Sequence, residues 1–115
     1  MRVVALVSDL ILASRIEEAA RAGGATFTRV DAPGDLPPPD EADLLLVDWT
    51  ERQPDWIAAL TAWRDAGRAR LIVFGPHTDL AAHEDARRAG LGPMWARSRL
   101  VRELPGLMEV SAERS

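Results

Sequence analysis

The chain contains no cysteine, so disulfides and thiolate metal sites are excluded, and a reducing, cytoplasmic setting is the simplest expectation. It contains no lysine either: all 14 basic residues are arginine. Any task usually given to a flexible ammonium must here fall to a planar guanidinium, which grips carboxylates and phosphates as a fork. No apolar run approaches the length needed to cross a bilayer, and MRVVALVSDL reaches Ser8 and Asp9 too soon for a signal peptide. Strong charge of one sign is also missing, since the net charge is only −4. Residues 1–67 carry 6 arginines against 12 acids, whereas residues 68–105 carry 7 against 4. That small basic excess in an acidic chain speaks against nucleic acid as a partner.

What is present is an ordinary globular mixture, 47% apolar and 28% charged in 115 residues, enough for one core. We expect one domain over residues 1–109 and a flexible tail over 110–115. Val3–Val7, Leu44–Val47 and Leu71–Phe74 are apolar throughout, as strands buried on both faces must be. Ala25–Val30 alternates and reads as a strand with one wetter face, and Met94–Ala96 is a short strand candidate. Amphipathic stretches lie between them. One runs from Asp9 to Ala22 and closes at Gly23-Gly24. A second runs from Pro54 to Ala66, with Trp56, Ile57, Leu60 and Trp63 on one face. A third, capped by Thr78 or Asp79, runs to Ala89. A last one is capped by Ser98 and ended or kinked at Pro105-Gly106. Between the second and third strands, DAPGDLPPPDEAD cannot form a regular helix and is expected to be a loop. Apolar strands alternating with helices predict an α/β fold with a parallel sheet covered on both faces. Such folds place their functional crevice at the carboxyl ends of the strands, where Asp9, Asp48, Gly75–His77 and Arg97 fall.

VSDL, LLLVDWT, VFGPH and WARS, at the ends of the first, third, fourth and fifth strands, together resemble the response-regulator receiver domain, and the likeness spans residues 2–108. The resemblance implies a flavodoxin-like doubly wound sheet of five parallel strands in the order 2-1-3-4-5, with the second helix replaced by the Pro-rich loop. It implies Asp48 as phosphoacceptor, Arg97 as phosphate-binding group in place of lysine, and Asp9, Asp48 and the Thr50 carbonyl as Mg²⁺ ligands. Three key positions depart from the pattern. Ser8 stands for one acid, Gly75 for the hydroxyl that holds the phosphoryl group in the active state, and Arg97 for lysine. Glycine cannot make the hydroxyl's hydrogen bond.

A divergent pseudo-receiver is therefore the first expectation: a stand-alone signalling module acting by protein–protein interaction, with no cofactor and no enzymatic turnover. The alternatives are a working single-domain response regulator, phosphorylated on Asp48 with Mg²⁺ and self-hydrolysing, and a flavodoxin-like small-ligand binder or enzyme using the loop and Trp49. The resemblance implies a partner or homodimer face formed by the family's fourth helix, fifth strand and fifth helix, carrying Arg87, Arg88, Trp95, Arg99, Leu100 and Arg102. Each site residue also has a plainer role. Asp9 suits a helix N-cap, Trp95 suits packing under the last helix, and Asp48 suits an ion pair with Arg97. Arg97 closing on Asp48 would mark a locked fold, an open acidic pocket a chemical one. His77 and His83, six apart, lack helical metal spacing and read as surface residues, and a Ser8/His77/Asp48 triad has no nucleophile elbow to support it.

Overall fold

The computed structural model describes the backbone of residues 1–114 and the side chains of residues 1–109. β1 (Arg2–Leu6), β2 (Thr26–Val30), β3 (Leu44–Asp48), β4 (Arg70–Gly75) and β5 (Trp95–Ala96) form one parallel sheet in the order β2-β1-β3-β4-β5. α1 (Leu10–Ala22) and α4 (Arg97–Arg114) cover one face, while α2 (Trp56–Asp65) and α3 (Leu80–Arg88) cover the other. This is the doubly wound α/β architecture, with the strand order that the resemblance implied.

The unbroken apolar runs follow from that double cover. Val3, Ala5, Leu44 and Leu46 point toward Ile16, Leu100 and Leu104, whereas Val4, Leu6, Leu45 and Val47 point toward Trp56, Leu60 and Trp63. Because successive strand side chains alternate faces, a central strand between two helical layers must be apolar at every position. Among the described residues β2 has only β1 beside it, and its Thr26 and Thr28 are exposed.

The Pro-rich segment forms two 3-10 turns, Pro33–Asp35 and Pro39–Glu41, each begun by proline, and no α-helix. Trp63 Nε1 donates to the Pro37 carbonyl at 2.7 Å, and Leu36 packs on the core beneath. At Gly67 a Cβ would lie 2.7 Å from the Pro39 carbonyl oxygen, so only glycine lets the segment lie this close to the end of α2. The segment is strapped down on the sheet face that a helix would otherwise cover.

Several local expectations need correction. α2 begins at Trp56 rather than Pro54, and Ile57 is 39% exposed instead of joining Trp56, Leu60 and Trp63 in the core. α4 begins at Arg97, which places Ser98 inside its first turn and not at its cap. Pro105 does not end α4. Leu104, Leu107 and Met108 are buried on either side of it, and that packing offsets the hydrogen bond the proline cannot make. The tail expected over 110–115 falls on side chains, and at Ser115 on a whole residue, outside those described.

Candidate functional site

The carboxyl ends of β1, β3 and β5 bring Asp9, Asp48 and Arg97 together. Asp9 caps α1, its Oδ1 accepting from the backbone N–H of Ile11 at 3.0 Å and of Leu12 at 3.2 Å. Its other oxygen accepts from Arg97 Nη1 at 3.4 Å. The Leu12 N–H does most to hold the Asp9 carboxyl below its usual range; partial burial opposes it, while the Ile11 N–H and the Arg97 guanidinium add to the lowering.

Asp48 is the last residue of β3 and is only 2% exposed. Thr50 turns back over it in a 3-10 turn (Trp49–Glu51) and gives Asp48 Oδ1 both its N–H, at 3.1 Å, and its hydroxyl. Asp48 Oδ2 accepts from Arg97 Nη2 at 3.2 Å. One guanidinium therefore bridges the two carboxylates, one fork tip on each. A charge this deeply buried is tolerated only when it is paired and hydrogen-bonded, and Asp48 is both. Arg97 Nε is buried and makes no hydrogen bond among the described residues. The fork is committed to the two acids at the expense of its stem.

The positions of Ser8 and Gly75 are filled as well. Glu51 folds back across the site, and Ser8 gives it both its backbone N–H, at 3.4 Å, and its hydroxyl. That contact ties the end of β1 to the turn after β3, and it engages the hydroxyl that a Ser8/His77/Asp48 triad would need. A Cβ at Gly75 would meet Met94 Sδ at 3.1 Å and the Thr50 methyl at 3.3 Å. The space that the family's hydroxyl would occupy is taken by apolar groups.

Beside the site, Trp49 is fully buried and donates from Nε1 to the Ala82 carbonyl at 3.1 Å, pinning the 3-10 turn to α3. Arg52 lies 5.7 Å from the Trp49 ring centre and donates twice to Asp85, at 3.0 and 2.8 Å. The turn that carries Thr50 and Glu51 is held from both sides.

The donor set does not fit Mg²⁺. Mg²⁺ needs near-octahedral oxygen ligands, but a guanidinium stands between Asp9 and Asp48 and takes one oxygen of each. The Ser8 hydroxyl is committed to Glu51, which leaves the Thr50 carbonyl without the paired carboxylates it would complete. No group of three histidine or carboxylate side chains able to hold a metal occurs among the described residues. His83 is half-buried, with a ring nitrogen 3.2 Å from the His77 carbonyl oxygen.

The expected partner face is only partly available. Trp95 is 8% exposed because β5 turns it under α1 and α4, and Leu100 is fully buried because the phase of α4 turns it into the same cluster. Arg87 and Arg88 are exposed but share Glu84, and Arg99 pairs with Glu103 while lying 3.9 Å over the Trp95 ring. Arg102 is exposed on the same helix.

No family model and no curated protein matches the sequence. Solved structures do match. A response-regulator receiver protein from Burkholderia phymatum superposes with TM-score 0.64 at 17% identity, over 91% of this chain and 94% of that one. The receiver domain of Francisella response regulator 1452 gives 0.65 at 16%, over 98% and 96%. The chain has the receiver fold. A pilus assembly protein, CpaE from Caulobacter crescentus, shares it with TM-score 0.58 at 16% identity, over 92% of each chain.

Asp48, Arg97 and Asp9 are thus brought together as strand-end logic expects, and the Thr50 backbone lies against Asp48 through its N–H. Glu51 and Arg52 were not singled out from sequence. Their one available signal was an acid and an arginine within four residues of a strand-end aspartate, and only the 3-10 turn decides where they point.

Proposed function

We propose that this protein is a receiver-like signalling module that acts by binding another protein and does not run the phosphoryl-transfer switch. The observation that carries this reading is the single Arg97 fork bridging Asp48 and Asp9. Phosphorylation of a receiver aspartate needs a divalent cation at the carboxylates, a free carboxylate oxygen to attack, and a hydroxyl to hold the product. In this chain a guanidinium occupies the first place, Asp48 has both oxygens engaged, and Gly75 supplies no hydroxyl.

With that site closed, the module signals by surface. Exposed arginines on α3 and α4 (Arg87, Arg88, Arg99, Arg102) suit an acidic partner, with Glu84 and Glu103 holding three of them in place until an acid of the partner competes. The likeness to a protein named for pilus assembly supports a role of this fold in assembly as well as in phosphorelay. No helix of the described residues is long and apolar enough to cross a membrane, and we place the module in the cytoplasm.

The test is incubation of the purified chain with Mg²⁺ and a small phosphodonor, read by intact mass and peptide mapping. We expect no phosphoryl group on Asp48. A stoichiometric aspartyl phosphate at that residue would replace this reading with a working phosphoreceiver.

A further inference from the structure

β2 is the free edge of the sheet, with β1 as its sole strand neighbour among the described residues. Its register with β1 is continuous from Arg2↔Thr26 to Leu6↔Val30, so no bulge twists the edge away. Thr26 N–H donates to the Met1 carbonyl at 2.9 Å, which fixes the parity of the ladder. In a parallel pair, alternate residues of a strand bond to one neighbour, so Thr26, Thr28 and Val30 turn their backbone groups to β1. Phe27 and Arg29 turn theirs outward. Natural edges are guarded by charged side chains, proline or a bulge; β2 has no proline or bulge, and its one charge, Arg29, is held back by Asp31 and the Val7 carbonyl.

The edge is self-complementary. Placed antiparallel to a second copy about a two-fold axis at Thr28, Phe27 stands opposite Arg29 of the other copy and Arg29 opposite its Phe27. These are the two residues whose N–H and C=O groups are free, so both pairs exchange both hydrogen bonds, and Thr28 faces Thr28 between them. The side chains agree with the backbone. A groove of about 390 Å³ runs along the α1 side of β2, lined by Leu10, Glu17, Phe27 and Arg29. Phe27 of one copy would cover the methylene stem of the other's Arg29 there, beside Leu10, which is 67% exposed. On the other side of the sheet the strapped Pro-rich segment leaves Thr26 and Thr28 uncovered, where a helix in its place would crowd a neighbouring strand.

We propose that two copies of this chain pair through β2, antiparallel and centred on Thr28, to make one continuous ten-stranded sheet. The occupant is a second copy because the one register that satisfies the free backbone groups of Phe27 and Arg29 also lays each Phe27 on the other copy's Arg29 stem, beside the exposed Leu10. This face lies at the opposite edge from the α3 and α4 arginines, and it does not depend on the state of Asp48.

Because the chain has no cysteine, one introduced thiol reports the register. Directly opposed residues of a non-hydrogen-bonded antiparallel pair have Cβ atoms about 4.5–5.5 Å apart. Thr28→Cys should therefore form a disulfide-linked dimer under mild oxidant. Thr26→Cys should not, since the two copies of residue 26 stand roughly 14 Å apart along the strands. In sedimentation equilibrium the wild type should be a dimer, and Thr28→Asp should weaken it at least about tenfold by setting like charges face to face. Arg99→Glu should leave it intact. A monomeric wild type at every concentration, equal cross-linking by the two cysteine variants, or a dimer lost with Arg99→Glu and kept with Thr28→Asp would each overturn the proposal.

Discussion

The carboxyl end of the sheet and its β2 edge treat their polar groups in opposite ways. At the strand ends the side chains at the key positions of the receiver fold are engaged internally, Asp48 and Asp9 by Arg97 and Ser8 by Glu51, and the space at Gly75 is taken by Met94 and Thr50. At β2 the backbone groups of Phe27 and Arg29, and the threonines on either side of Phe27, have been left outward. In a fold where chemistry normally sits at the strand ends, closing that end and leaving an edge open is what the proposed surface-acting module would require.

Substitutions at the two regions should therefore differ in kind, and the largest effects belong to the closed end. Trp49→Ala empties a fully buried ring site and unpins the 3-10 turn from α3. We expect a loss of about 3–5 kcal/mol in urea unfolding. A loss below about 1 kcal/mol would mean that the turn is not held as described. Arg97→Ala removes the partner of a buried carboxylate and should cost about 2 kcal/mol, since Thr50 still hydrogen-bonds Asp48. Gly75→Ser restores the missing hydroxyl against Met94 and Thr50. It should cost about 1 kcal/mol, because the thioether can move aside, and should not by itself allow phosphorylation. At the open edge Thr28→Asp should change the stability of the monomer, measured at concentrations where neither protein dimerises, by less than about 0.5 kcal/mol while altering association. A stability loss there as large as at Arg97 would erase the contrast.

Acid titration gives a smaller effect with a definite sign. The Asp43 carboxyl is held below its usual range, first by the Arg2 side chain and then by the Arg2 N–H, against an opposing burial cost; Asp9 is held low by its capping bonds. A carboxyl whose folded pKa is depressed contributes its stability above the unfolded value, near pH ~3.9, and loses it as pH falls through the folded value. The unfolding midpoint should therefore fall below about pH 4, and Asp43→Asn should flatten that acid limb. An unchanged limb would show that the Arg2–Asp43 pair contributes nothing.

The architecture was legible because apolar runs at strand length, broken by capped helices, admit few arrangements. Asp9 could be read as a cap from its place before Leu10, and the Asp48–Arg97 pair from opposite charges at the ends of two strands. What stayed hidden depends on angles that residue types do not encode. Asp-Trp at a strand end reads as the start of a loop, yet one 3-10 turn swings the Trp49 ring under α3 and carries Glu51 back to Ser8. Leu100 looked available to a partner until the start of α4 at Arg97, one residue before the expected cap, fixed its phase, and Trp95 until β5 turned its ring under that helix. The Pro-rich segment could be excluded from a helix but not placed, because its anchor on Trp63 is a tertiary contact.

The central claim is that Arg97 holds the place a divalent cation would need. Its most direct test is a tryptophan-fluorescence titration with Mg²⁺ and beryllofluoride, run in parallel on the wild type and on Arg97→Ala, since Trp49 adjoins Asp48. The account predicts no saturable change for the wild type at millimolar Mg²⁺ and a measurable response once the guanidinium is gone. A saturable, Mg²⁺-dependent change in the wild type, equal to or larger than that of Arg97→Ala, would contradict it.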